Sequence, residues 1–172
     1  MSQVPVWFER KFESSFPLEL LPNLCARLRG TAARLDEIVR GQSHEILTRK
    51  PGGTWSAQEN AGHLVDLEPL WLARVNDFAA RRGELTVADL RNRKTYEANH
   101  NSVLVDALLR QFREQREKLL KRVEQLDPGG FEGTIPHPRL KTPMSLADLL
   151  HFVAEHDDHH LARMWELMFV DR

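Results

Sequence analysis

The run Glu155-His156-Asp157-Asp158-His159-His160 breaks an apolar helical face. At about 100° per residue, His156 and His160 project from one side of a helix, one turn apart. Leu149, Phe152, Val153, Met164 and Leu167 share that side. An imidazole set among such residues must hydrogen-bond or bind a metal, because an unsatisfied buried polar group is costly. Histidines at i and i+4 can grip one ion between them.

A third histidine comes from a second helical segment. Trp55-Ser56-Ala57-Gln58-Glu59 opens it with a Ser-x-x-Glu capping box, which places His63 two turns inside. Leu67, Leu70, Arg74 and Phe78 follow at helical spacing on its side, so His63 faces the core. Three imidazoles from two helices suit a divalent metal, zinc first and nickel as a substitute, and leave a coordination position open for chemistry. His159 stands beside His160 and replaces it as a ligand if the helix phase differs.

The open position admits two reactions. A low-molecular-weight thiol bound there as thiolate would attack an electrophile, making the protein an S-transferase. A water acidified there would make it a hydrolase, which needs a base; the candidates are Glu59, Asp66, Asp157 and His159. Glu59 already has a capping role, and Asp157 and Asp158 are expected as exposed hydrogen-bond partners or as residues supporting the ligands from behind, not as ligands. The candidates for substrate contact are Arg74, Gln111, Gln115, Tyr96, His100 and His137. Arg74 either snorkels to the bundle end or holds an anionic group. Gln111 and Gln115 interrupt the apolar face of a third helix, and His100 and His137 are expected in surface loops.

Four long helical segments must position these groups. The first runs from about Pro22 to Val39 and ends at Gly41; the second runs from about Ala57 to Arg81, with Gly83 as its stop. The third runs from about Val103 to Leu126 behind Ser102 as cap, with Leu104, Leu108, Phe112, Leu119 and Val123 on its apolar face. The fourth starts at Ser145, with Asp148 completing a capping box, and runs to about Phe169. Polar connections separate them, among them 91–101 and the Pro-rich Gly129 to Pro143. No alternation is long enough for a sheet, so the expected class is an all-α four-helix bundle in one domain over residues 1–172, with a core of about 18–169.

A formal net charge of -1, from 24 Lys and Arg against 25 Asp and Glu, gives no general attraction to nucleic acid or anionic membranes. The start lacks signal-peptide order and no apolar run approaches a membrane span, so a cytoplasmic setting is expected. The lone cysteine, Cys25, fits a reducing compartment and reads as a packing residue of the first helix.

The pattern Trp55-Ser56-x-x-Glu59-x-x-x-His63-Leu64, the pair His137-Pro138 and the motif His156-Asp157-x-x-His160-Leu161 resemble the DinB-like superfamily, also called YfiT-like or bacillithiol S-transferase-like, over about Leu18 to Leu167. The resemblance implies an up-down-down-up four-helix bundle with a divalent metal on three histidines, here His63, His156 and His160, and a homodimer in many members. The expected function is a metal-dependent thiol transferase acting on a small electrophile. The alternatives are a metal-dependent hydrolase and a non-catalytic metal-binding stress-response module.

Overall fold

A computed structural model describes residues 3–127 and 132–170. Its helices are α1 (Leu21–Val39), α2 (His44–Thr48), α3 (Ala57–Ala79), α4 (Arg93–Glu97), α5 (Val105–Glu124) and α6 (Leu146–Trp165), the last running on into a π-helical turn, Glu166–Val170. A two-residue antiparallel pairing, β1 (Ile135–Pro136) with β2 (Pro143–Met144), pins the connection before α6. Gly129, where that connection was expected to begin, lies outside the described residues.

The four long helices are α1, α3, α5 and α6, and their cross-links fix the topology. Arg27 pairs with Glu155 and Arg34 with Asp158, so α1 and α6 run parallel. Asp36 meets Arg113 and Arg29 meets Glu124, so α5 opposes α1. Glu68 with Arg116 and Asn76 with Arg122 set α3 parallel to α5. The result is up-down-down-up, as the resemblance implies.

Local signals hold at two helix starts. Ser56 with Glu59 and Ser145 with Asp148 form complete capping boxes, each satisfying two otherwise free backbone donors. Three expectations are corrected. Arg81, at φ 50°, takes the left-handed position after α3, so the helix stops before Gly83. Ser102 does not cap α5; its hydroxyl donates to Asn99 O, and Leu104, 79% exposed, precedes the helix instead of lining its core. Within the polar stretch 91–101 the chain forms α4, which no apolar periodicity announced.

Two apolar clusters fill the bundle. One gathers Leu28, Trp71, Leu119 and Val153, the other Leu35, Leu64, Phe112 and Leu161. Each such buried side chain contributes about 1.5–3 kcal/mol relative to exposure. Between the clusters each long helix supplies one buried polar residue at the same level: Thr31, Glu68, Arg116 and Asp157. Arg116 donates to Asp157 Oδ2 at 2.6 Å, to Glu68 Oε1 at 2.6 Å and to Leu28 O, while Thr31 Oγ1 donates to Asp157 Oδ2. Asp157 is thus fully buried at the bundle centre, which removes the exposed one of the two roles expected of it.

Candidate metal centre

His156 neighbours Asp157 in sequence, and the 100° step between them turns its ring from the bundle centre toward the seam of α3 and α6. There it meets His63 from α3 and His160 from the next turn of α6. The ring centroids lie 5.3 Å (His63 to His156), 4.7 Å (His63 to His160) and 4.5 Å (His156 to His160) apart. One nitrogen from each ring can be chosen so that all three lie within 4.8 Å of one another, and all three side chains are buried.

Hydrogen bonds set two of the rings. Thr95 Oγ1 donates to Asp66 Oδ2 at 2.9 Å and therefore accepts from His63 Nδ1, 3.0 Å away. Asn60 Nδ2 donates to Ser56 O, which turns its Oδ1 toward His160 Nδ1 at 2.8 Å. Both rings then carry the proton on Nδ1 and keep Nε2 as a lone pair, the arrangement that second-shell partners impose on metal-binding histidines. His156 is held edge-on by Trp7 and Trp71, and its Nδ1 is buried with no hydrogen-bond partner among the described residues. Burial pushes His63 down to about 4 and His156 and His160 well below the ordinary imidazole value. Three neutral nitrogen donors and an orphaned ring nitrogen fit a late first-row divalent ion.

The wall behind His63 is a small network. Asp66 also receives His100 Nε2 at 2.8 Å and faces Lys94 Nζ at 3.3 Å. Burial acts to raise the Asp66 carboxyl, but the His100 and Thr95 hydrogen bonds outweigh it and hold the group below its usual value. Gly62 makes room for this: a Cβ there would come within 2.3 Å of the His100 ring. Gln58 Nε2 donates to His100 O and Val103 O, tying the loop to α3. His100 is therefore a buried anchor and not the surface-loop residue expected, and Asp66 orients His63 through Thr95.

The histidines form one end of a cavity of about 720 Å³. Trp7, Trp55, Trp71 and Phe152 wall it, and Asp89 is the one carboxylate among its described lining residues. His159 also lines it, its ring 5.0 Å from His160; burial lowers it to about 4, and its Nδ1 has no partner among the described residues. Tyr96 lines the rim, 70% exposed. Glu59 is spent on the capping box and Lys50. Gln111 is exposed and Gln115 half-buried on α5, and neither lines the cavity. Cys25 lies elsewhere, on α1, its thiol pushed up by burial.

The opposite end holds Arg74 and His137, both buried, with Arg139. Arg74 Nε donates to Thr86 O and its Nη1 lies 3.0 Å from His137 Nε2. His137, expected in a surface loop, is 3% exposed because β1 and β2 fold its loop onto the cavity. Sequence reading did not single out Trp7, Asn60, Thr95, Glu68 or Arg116. Trp7 belongs to an N-terminal segment that straps α6, where Arg10 pairs with Glu155 and Phe16 N donates to Asp148 Oδ1.

Comparison with known proteins bears on this arrangement. The family model of the DinB superfamily matches residues 27–164, and the chain belongs to that superfamily. No curated protein sequence matches significantly. Among solved structures, YfiT from Bacillus subtilis superposes with a TM-score of 0.77 at 20% identity, over 92% of this chain and 91% of that one; it is described as "a probable metal-dependent hydrolase with an unusual four-helix bundle topology". A mycothiol-dependent maleylpyruvate isomerase matches with a TM-score of 0.65 at 10% identity, over 85% of this chain and 60% of that one. At these identities the likeness shows the fold.

Proposed function

We propose that this member of the DinB superfamily is a metal-dependent enzyme in which His63, His156 and His160 hold one divalent cation, zinc or in its place nickel, and a low-molecular-weight thiol attacks a small electrophile. The observation that carries the reading is the donor set at the cavity wall: three neutral imidazoles, two with their tautomers fixed, in a cavity whose one described lining carboxylate is Asp89, while Asp66 stays behind His63 and is held by Thr95 and His100. When bound, the cation supplies Lewis-acid chemistry, favouring a thiolate at neutral pH. The chain's own residues do the rest. Trp7, Trp71 and Phe152 exclude water from the histidine end, and Thr95, Asp66 and Asn60 keep the lone pairs of His63 and His160 aimed inward. The proton a thiol sheds on binding leaves to solvent through the exposed rim at Tyr96, so this reading asks no strong base of the chain. In the transfer the S–H bond breaks, a carbon–sulfur bond forms, and the displaced group leaves with the electron pair.

A hydrolase is the second reading, favoured by the free Nδ1 of His159 beside the triad and by the description of YfiT. His159 at about 4 is a weak base, so thiol transfer ranks first. The experiment is metal analysis of purified wild type, His156→Ala and His160→Ala, followed by titration of the cobalt form with 2-mercaptoethanol. A sulfur-to-cobalt charge-transfer band and loss of metal in both variants are expected. Metal-dependent turnover of esters or amides with no thiol-dependent band would replace the first reading with the second.

A further inference from the structure

We propose that the cavity end opposite the histidines is a carboxylate-binding subsite centred on Arg74, completed by Arg139 and His137, and that its ligand is a small organic acid reaching toward the histidines. The inference rests on the functional reading above for what happens at the histidine end; the subsite itself stands on Arg74.

Arg74 is 2% exposed, lines the cavity, and makes no ion pair with a carboxylate among the described residues. The acid one turn along, Asp77, is spent on Thr86, accepting from its N at 2.6 Å and its Oγ1 at 2.8 Å, with Arg82 outside it. A buried cation left with neutral partners is costly, and an anion from outside the chain would balance it. Burial correspondingly lowers Arg74 to about 10.

Donors outnumber acceptors around it. His137 Nδ1 lies 3.2 Å from the amide nitrogens of both Arg139 and Leu140, while its Nε2 faces Arg74 Nη1. A neutral imidazole has one lone-pair nitrogen, so both faces cannot be satisfied together. Burial, with Arg74 and Arg139 adding to it, pushes His137 down to about 3, and protonation would not relieve the conflict, since an imidazolium has no lone pair at all. Arg139 Nη2 and Trp71 Nε1 are buried with no partner among the described residues. An acceptor with two oxygens is what this cluster lacks. The planar fork of a guanidinium matches a carboxylate, and because Arg74 is buried while Arg139 is only half-buried, a monoanion balances the one fully buried charge.

The reach is bounded too. Arg74 Cζ lies 5.3 Å from the Trp71 ring and the His156 centroid 5.5 Å from the same residue's ring, so a short chain laid along the indole joins the two ends.

The test is an NMR titration of wild type, metal-free and zinc-loaded, with hexanoate, hexyl phosphate and hexanol, following backbone amides and the Arg74 Nε resonance. Hexanoate should bind at least about tenfold more tightly than hexanol in both forms and move the Arg74 Nε signal, since a charge-assisted pair is what separates them. Arg74→Gln and Arg74→Lys should each cost hexanoate about tenfold and Arg139→Gln a few-fold, with hexanol unchanged in all three. Should Arg74→Gln fail to fold, the wild-type Nε shift and Arg139→Gln still decide. Hexanoate no tighter than hexanol, tighter binding of hexyl phosphate, or folded Arg74 variants with wild-type hexanoate affinity would overturn the proposal. Because the metal-free protein is included, failure of the three-histidine reading leaves this result separate.

Discussion

Arg74 and Arg116 are each 2% exposed, sit on parallel helices and stack on an aromatic ring, Trp71 and Phe112, yet they have opposite electrostatic settings. Arg116 is enclosed by Glu68 and Asp157. Burial works against its charge, and the two carboxylates more than reverse that, so its pKa is raised. Among the described residues Arg74 hydrogen-bonds a carbonyl and an imidazole but no carboxylate, and burial lowers it. One guanidinium is closed inside the bundle; the other borders a cavity. The contrast separates charge that holds the four helices in register from charge left for a ligand.

The sharpest way to break that comparison is Arg116→Met. It strands two carboxylates in the core and should cost about 3–5 kcal/mol in urea unfolding at pH 7. A loss under about 1 kcal/mol would mean the central network is not fully desolvated.

Acid probes the cavity side. His63, at about 4, and His137, at about 3, are depressed from 6.5, and His156 and His160 lie lower than that value too. The folded state therefore binds fewer protons than the unfolded chain below that pH. Stability should fall progressively as pH drops from about 6.5 toward 4, read as a shrinking urea midpoint in metal-free protein. A flat profile would mean these rings titrate normally.

Thr95→Val tests the link between Asp66 and His63. Zinc affinity should weaken about 10- to 100-fold, measured by competition with a chelator, while the fold persists. An unchanged affinity would reduce Thr95 to a loop anchor.

Arg74→Gln should change stability by no more than about 1–2 kcal/mol, since the hydrogen bonds it removes go to neutral acceptors and the desolvation cost of the unpaired charge is removed with them. A loss matching that of Arg116→Met would erase the distinction between the two arginines. At the small end, Gln111→Ala should change stability by less than about 0.5 kcal/mol and leave ligand binding untouched, because the side chain is exposed away from the cavity.

Several of these groups left a trace in the sequence. Arg116 lies one turn after Phe112 in the apolar stripe of α5, and Glu68 one turn after Leu64 in α3; a charge at such a position marks a buried partner. Gly62 inside an otherwise regular helix signalled a close approach, which the ring of His100 makes. Nothing comparable announced His137 or Trp7, since short loops and N-terminal straps carry no periodicity from which burial can be read.

By itself, the sequence determined the helical faces, both capping boxes and the phase that turns His63, His156 and His160 to the same side of their helices, because these depend on neighbours within a turn or two. Only the tertiary structure decided which charges are neutralised. Thr31 and Asp157 are 126 residues apart, Glu68 and Arg116 are 48 apart, and Arg74 reaches His137 across 63. Coulomb energy and desolvation follow distance and burial in space, and a helical repeat carries no information about which distant segment will arrive beside it.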